Sequence, residues 1–105
     1  MSPDPVGTTF AALADPTRRH VIGVLSAGEA VSATQLAREL PISRQAVTKH
    51  LHVLAQAGLA HSVQVGRERI WELESRPLLS ASEWLGQISA QWDEGLGRLK
   101  RFVED

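Results

Sequence analysis

Polar side chains recur at helical spacing between residues 44 and 57, in a segment whose opposite face is apolar. The apolar stripe consists of Val47, Leu51 and Leu54. At about 100° per residue, the other side of the helix carries Gln45, Lys49, His52 and Gln56. A glutamine amide can form two hydrogen bonds with adenine, and a lysine ammonium can bond guanine or a phosphate. This face therefore predicts hydrogen bonding to the bases and phosphates of a nucleic acid.

The residues before this segment make it the second helix of a pair. Ser32 starts a Ser-x-x-Gln capping box, which begins the first helix, and Pro41 ends that helix because proline lacks an amide. Ser43 is an N-cap candidate for the second helix, and Gly58 can take the left-handed conformation that ends it. Two helices joined by a turn of about three to four residues are the layout of a DNA-reading helix-turn-helix.

A β-hairpin is predicted directly after the helix pair. Segments rich in β-forming residues flank Gly66-Arg67, and glycine at the first central position suits a type II′ two-residue turn. The predicted fold class is mainly α, a winged helix-turn-helix with a two-stranded β-hairpin, residues 60–73, as its wing. Helix 44–57 is expected to enter the major groove.

The second helix and the wing supply the residues that we expect to contact DNA. Gln45 and Lys49 are expected to read bases, and Arg44 and Thr48 are expected to contact phosphates. The full expected set is Ser43, Arg44, Gln45, Ala46, Thr48, Lys49 and His52 on the helix, with Arg67 and Arg69 on the hairpin.

The chain before the helix pair is predicted to comprise a short tail and two helices. Residues 1–7 are rich in proline and glycine, so we expect them to be disordered and a single domain to span residues 8–105. Asp15-Pro16 is a start signal for the second of these helices. The following pair, Arg18-Arg19, can serve equally in phosphate contacts or in intramolecular ion pairs.

The last predicted helix, about residues 77–103, shows a sustained heptad pattern. Its apolar positions, three and four residues apart, are Ala81, Leu85, Ile88, Trp92, Gly95, Leu99 and Phe102. Trp84 and Leu96 widen this stripe beyond what the core of so small a domain can cover. We expect one side of the helix to pack on its own core and the other on a second copy of the chain. The expected homodimer interface consists of Leu85, Ile88, Trp92, Leu99 and Phe102.

Composition and charge agree with these expectations. The net charge of the 105-residue chain is −1, yet residues 16–69 hold seven lysines and arginines against three glutamates. A locally basic module with acidic flanks suits contact with phosphates. No signal peptide or apolar segment of about 20 residues is visible, so we expect a cytoplasmic protein that does not associate with membranes.

Metal binding and catalysis are not predicted. The chain contains no cysteine, and the two histidines of His50-x-His52 project about 200° apart on a helix, so they cannot chelate one ion. No nucleophile elbow, phosphate-binding loop or organised carboxylate pair is present. We therefore expect no metal site, no cofactor and no enzymatic activity.

Four motifs make the sequence resemble the ArsR/SmtB family of bacterial repressors. They are Asp15 to Arg19, Ser43 to Leu51, Ala57 to Leu59, and Gly66-Arg67 before an aromatic strand. The resemblance implies a homodimeric winged-helix repressor that binds double-stranded DNA at an inverted repeat. Metal-sensing members carry a Cys-rich motif where this chain has residues 34–38. The resemblance is therefore to the cysteine-free branch, which does not sense metal.

Two other functions stay open from the sequence. The winged-helix fold also serves protein–protein interaction without DNA binding, and an apolar or acidic patch would then be expected where Gln45 and Lys49 lie. A repressor that responds to a small-molecule effector would hold a pocket between helices at the dimer interface. An apolar pocket and an apolar core look alike in sequence, so the effector stays unknown at this level.

Overall fold

The structure, a computed structural model, describes residues 4–28 and 30–104. Within these residues, the helices are α1 (Pro5–Leu13), α2 (Pro16–Ser26), α3 (Ala33–Glu39), α4 (Arg44–Gln56) and α5 (Arg76–Glu104). The strands are β1 (Val31–Ser32), β2 (Ala60–Val65) and β3 (Glu68–Leu73). The fold is mainly α, with α3 and α4 as the helix-turn-helix and the β2–β3 hairpin as the wing.

The N-terminal helix begins earlier than the sequence predicted. Residues 1–3 lie outside the described part of the chain, but residues 5–7, expected to be disordered, form the first turn of α1. Pro5 occupies the first helical position, where its fixed φ suits a helix and its missing amide costs nothing. The carbonyl oxygen of Asp4 accepts the first helical hydrogen bond from the Thr8 amide at 2.9 Å. Proline in this tail therefore starts a helix.

The predicted caps fix the ends of the helix-turn-helix. The Ser32 hydroxyl accepts a hydrogen bond from the Gln35 amide at 3.2 Å, and the Gln35 side chain accepts one from the Ser32 amide at 2.8 Å. The Ser43 hydroxyl accepts from the Ala46 amide at 3.1 Å and thereby begins α4. Gly58, with φ of 76°, ends α4 in the left-handed conformation.

The sheet has one strand more than the predicted hairpin. Its order is β1-β3-β2, and all pairings are antiparallel. Val65 pairs with Glu68 across a two-residue turn in which Gly66 has φ of 62° and Arg67 does not have a positive φ, as a type II′ turn requires. The added strand β1 pairs Val31 with Trp71 and so joins the start of α3 to the wing.

The core lies between α2, α3, α4 and the base of the sheet. Among its fully buried residues are Val21, Leu36, Val47, Leu51, Leu54 and Leu59. Trp71 of β3 is 5% exposed and anchors the wing on this core. These contacts fix the angle between α4 and the hairpin.

The C-terminal helix is only partly held by this core. Ala81 is buried, and the ring of Trp84 packs edge-on against Phe10 of α1 with centroids 5.7 Å apart. Beyond that point α5 extends away from the body, and the principal dimensions are 69 × 33 × 24 Å. The radius of gyration, 18.4 Å, exceeds the roughly 13 Å expected of a compact domain of this length. The second half of α5 thus projects into solvent.

Two arginines left open by the sequence cap the end of α1. The Arg18 Nε donates to the Ala12 carbonyl oxygen at 2.6 Å, and an Arg19 guanidinium nitrogen donates to the Leu13 carbonyl oxygen at 2.6 Å. Positively charged donors suit the free carbonyls at a helix C-terminus. In this structure both guanidinium groups therefore hold α1 against α2.

No helix in the described residues is long and apolar enough to cross a membrane.

Candidate nucleic-acid interface

The exposed face of α4 is polar except for Val53, which is 38% exposed near the end of the helix. Val47, Leu51 and Leu54 are completely buried, which turns the opposite side of the helix to solvent. The exposed polar side chains on this helix are Arg44, Gln45, Lys49, His52 and Gln56. The Thr48 hydroxyl donates to the Arg44 carbonyl oxygen at 3.0 Å, which leaves its oxygen able to accept. The helix therefore presents donors and acceptors to a neighbouring molecule without rearranging the core.

A groove of about 370 Å³ separates α4 from the wing. Its walls are formed by Ser32, Ala33, Thr34, Arg44, Thr48, His52, Gln64, Arg67, Glu68, Arg69 and Trp71. Three arginines and one glutamate line it, so the groove carries a net positive charge. A shallower depression beside it is lined by Arg44, Gln45 and Thr48. Cationic walls next to a polar helix are the electrostatic arrangement that attracts a phosphate backbone.

The wing is held in position by contacts across its strands. A guanidinium nitrogen of Arg69 donates to the Ser62 hydroxyl at 2.8 Å, and the Gln64 amide nitrogen donates to the Gly66 carbonyl oxygen at 3.2 Å. Arg67 is exposed at the tip of the hairpin. Arg69 is thereby directed along the groove, whereas Arg67 is free to extend beyond the end of the wing.

The structure brings most of the predicted DNA-contacting residues together. Those that line the groove or its neighbouring depression are Arg44, Gln45, Thr48, His52, Arg67 and Arg69. Lys49 is exposed on α4 but lines neither cavity, and Ser43 is the N-cap, exposed at the end of the helix. Ala46 is half-buried. Six of the nine predicted residues therefore line the groove or the depression beside it.

Two polar groove residues, Thr34 and Gln64, were missed by the sequence reasoning. Gln64 is the register partner of Arg69, so the predicted hairpin turn already placed both side chains on one face of the wing. Thr34 reaches the groove because β1 pairs with β3 and draws the start of α3 toward the wing. No local pattern in the sequence signals that pairing.

An acidic group supports the start of α2 beside α4. The Asp15 carboxylate accepts a hydrogen bond from the Arg18 amide at 3.0 Å and lies 3.9 Å from the Nδ1 atom of His50. The Arg18 amide, together with the charge of His50, lowers the pKa of Asp15 below its ordinary value. His50 thus faces α2, whereas the ring of His52 lies 6.0 Å from that of Trp71 on the wing side.

The histidines do not assemble into a metal site in the described part of the chain. No group of three or more His, Cys, Asp or Glu residues is arranged there to hold an ion. His61 on β2 contacts two glutamates, with its Nδ1 atom 2.7 Å from Glu74 and its Nε2 atom 3.3 Å from Glu72. The first contact places the base of the wing beside the segment that leads into α5, and the second lies within the wing.

An extended apolar face lies on α5, away from the groove. The exposed fractions of the predicted interface residues are 50% for Leu85, 42% for Ile88, 67% for Trp92, 58% for Leu99 and 81% for Phe102. Isolated exposed apolar side chains are ordinary, but a contiguous patch along one helix marks an interaction surface. The structure therefore has two distinct surfaces, one polar and cationic and one apolar.

Comparison with known proteins identifies the family. Residues 13–63 match a helix-turn-helix domain family. A solved ArsR-like transcriptional regulator from Rhodococcus sp. RHA1 is 39% identical, with a TM-score of 0.79 over 93% of this chain and 92% of that one. A second solved ArsR family regulator is 32% identical, with a TM-score of 0.78 over 89% and 95% of the two chains.

A curated relative is also a helix-turn-helix transcriptional regulator. The HTH-type transcriptional regulator Rv2034 of Mycobacterium tuberculosis is 41% identical over 73 residues, which cover 70% of this chain. The match spans 64% of that protein, less than two thirds of its length. All three of these relatives are transcriptional regulators. The cysteine-free chain described here belongs to the ArsR family of winged helix-turn-helix transcriptional regulators, which bind DNA.

Proposed function

We propose that this protein is a homodimeric repressor that reads an inverted repeat, with α4 in the major groove and the wing on the flanking backbone. The observation that carries the proposal is the continuity between the polar face of α4 and the arginine-lined groove beside the wing. An α-helix fits the width of the major groove, and the hairpin beside it carries Arg67 at its tip and Arg69 in the groove, where they can reach the neighbouring phosphates.

The residue roles follow from where each side chain lies. Gln45 and Lys49 are exposed in the first two turns of α4 and are proposed to contact base edges. Arg44 and Thr48 line the groove and are proposed to contact the phosphate backbone. Arg67, at the tip of the wing, is proposed to bind a phosphate or the minor groove farther along the duplex.

The homodimer is proposed to form through the apolar face of α5. The second half of this helix contacts little of its own subunit, so Trp92, Leu99 and Phe102 expose most of their surface there. A dimer formed through this face would relate two α4 helices by a two-fold axis. Half-sites about 10 base pairs apart, or a multiple of that, would match such a pair.

Repression is proposed from a relative. The transcriptional repressor SdpR of Bacillus subtilis is 28% identical over 91 residues, covering 87% of this chain and 100% of that protein. A repressor that occupies its operator acts where the chromosome is, so we also propose a cytoplasmic location. An interaction module without DNA binding is disfavoured because the exposed face of α4 is neither apolar nor acidic.

The residue roles are tested by two substitutions that should reduce DNA binding in different ways. Gln45→Ala should weaken binding to the preferred site by about 1–3 kcal/mol and relax selectivity at one base position. Arg67→Ala should weaken binding to every sequence. It should also reduce the slope of the logarithm of the binding constant against the logarithm of the salt concentration by about one. Fluorescence anisotropy with specific and random duplexes over a range of salt concentrations measures both effects.

A matched control is Gln87→Ala, which removes an exposed glutamine from α5 away from its apolar face. This variant should bind both duplexes like the original protein. If Gln45→Ala weakened specific and random binding equally, α4 would not be reading bases through this residue, and the proposed reading face would be wrong.

A further inference from the structure

A trench runs between α1, the C-terminal end of α4 and the start of α5, on a different side of α4 from the wing groove. It consists of two adjoining cavities of about 370 Å³ and about 240 Å³. Both are lined by Thr8, Gln56 and Ala57. The larger cavity is completed by Pro5, Arg76, Pro77 and Ser80, and the smaller by Ala11, Ala12 and Val53. The larger cavity is within the range of about 300–1,000 Å³ that is typical of small-molecule sites, and the smaller one extends it along α4.

The trench exists because small side chains face one another across it. Helix α1 packs mainly on α2 and α5, where Phe10 contacts Trp84. On the side that lines the trench, α1 presents Pro5, Thr8, Ala11 and Ala12. The left-handed turn at Gly58 brings the end of α4 near α5, since a Cβ atom at Gly58 would lie 3.8 Å from Pro77. The helices therefore converge at one end of the trench and leave a gap along its length.

The chemistry of the trench is apolar with a cation at its mouth. Val53, Ala57 and Pro77 supply apolar walls, and the Gln56 amide and Ser80 hydroxyl supply hydrogen bonds. Arg76 is exposed, and no carboxylate in the described residues lies within 4.0 Å of its guanidinium. Guanidinium is the side-chain group whose geometry best matches a carboxylate.

We propose that the trench binds a small monocarboxylate with an aliphatic or aromatic body. The carboxylate contacts Arg76 at the mouth, and the apolar body lies against Ala57 and Val53. Such a ligand bridges the end of α4 to α1 and α5. Its effect on DNA binding rests on the proposed role of α4 as the reading helix: a ligand wedged there shifts α4 relative to α5 and lowers operator affinity.

The binding site is tested with octanoate and 1-octanol as matched probes on the full chain. In ¹H–¹⁵N correlation spectra, octanoate should cause saturable shifts at the amides of Thr8, Gln56, Ala57 and Ser80. The alcohol has the same apolar body and no charge, so it should bind more weakly by a factor of up to about five, as expected for an exposed ion pair. Shifts confined to the apolar face of α5, or equal affinities for both probes, would overturn the proposal.

Two variants separate the charge from the cavity. Arg76→Gln should reduce octanoate affinity to that of 1-octanol and leave 1-octanol binding unchanged, whereas Arg101→Gln, on the same helix far from the trench, should change neither. Ala57→Phe should fill the trench and abolish binding of both probes, and circular dichroism is used to check that this variant is folded. If Arg76→Gln retained full octanoate affinity, the assignment of the carboxylate to Arg76 would be wrong.

The regulatory step has its own readout. Octanoate should weaken operator binding by the original protein, and the same weakening of Arg76→Gln should require a higher octanoate concentration, by the factor that separates its affinities for octanoate in the two proteins. If the amide shifts appear but operator affinity stays constant, the site stands and the coupling to α4 is refuted. Because the spectra require no DNA, a failure of DNA binding itself would refute the proposed function without affecting the test of the trench.

Discussion

Removing the largest exposed side chains from the apolar face of α5 should dissociate the proposed dimer. The perturbation is Trp92→Ala combined with Leu99→Ala, two residues that are 67% and 58% exposed in the single chain. Both lie in the half of α5 that projects from the body, so their truncation leaves the core of the subunit intact. We therefore expect a folded monomer.

The size of the effect follows from the exposed area of Trp92. A tryptophan side chain can bury up to about 250 Å², so a 67% exposed one offers roughly 160 Å² for contact. At about 25 cal/mol per Å², complete burial would stabilise the dimer by about 4 kcal/mol per subunit. If half of that area is covered, the two subunits together lose about 4 kcal/mol, or roughly three orders of magnitude in the dimer dissociation constant. Leu99→Ala adds to this loss.

Sedimentation velocity over a concentration series measures the dissociation constant directly. A matched control is Leu79→Ala, since Leu79 is 62% exposed on the same helix but about 200° around it from Leu99. This variant should remain dimeric. The double variant should also bind its operator far more weakly than the original protein while binding random DNA almost as well. A double variant that stays dimeric and binds normally would show that the dimer forms elsewhere.

Two further predictions concern stability. Ser43→Ala should lower the free energy of unfolding by about 0.5–2 kcal/mol in urea denaturation, because the Ala46 amide loses its hydrogen-bond acceptor. The control Ser89→Ala, in the middle of α5, should cause no such loss. An unchanged denaturation midpoint for Ser43→Ala would contradict the role of Ser43 as the N-cap. The pKa of Asp15 is lower in the folded protein than in the unfolded chain, where it is about 4. The ionised carboxylate therefore stabilises the fold at pH values above about 4, and this stabilisation is lost as the pH falls through the pKa of the folded state. Asp15→Asn, which keeps a capping side chain, should therefore lose less stability than the original protein on acidification, and parallel pH profiles would refute this.

Features fixed by neighbouring residues could be predicted from the sequence. The caps at Ser32 and Ser43, the left-handed conformation of Gly58 and the hairpin turn at Gly66-Arg67 all depend on residues within a few positions of each other. The structure has each of them as predicted. The same holds for the buried stripe of α4, since helical periodicity alone decides which side faces the core.

Features that depend on contacts between residues far apart in the chain could not be predicted from the sequence. Strand β1 is only two residues long and exists because Val31 pairs with Trp71, forty residues away in the chain. The Arg18-Arg19 pair caps α1 through contacts set by the angle between α1 and α2. The start of α1 at Pro5 was missed because proline favours a loop and a first helical turn alike. The groove residue Thr34 depends on that same short strand.

The central claim, that α4 and the wing of a dimer read an inverted repeat, is tested most directly by footprinting the protein on DNA from upstream of its own gene. Hydroxyl-radical cleavage resolves individual protected sugars along each strand. The account predicts saturable protection of two half-sites, related by imperfect two-fold symmetry and spaced by about one helical turn or a multiple of it. Protection of a single unrepeated site, or binding to this DNA that is no tighter than to random duplex, would contradict it.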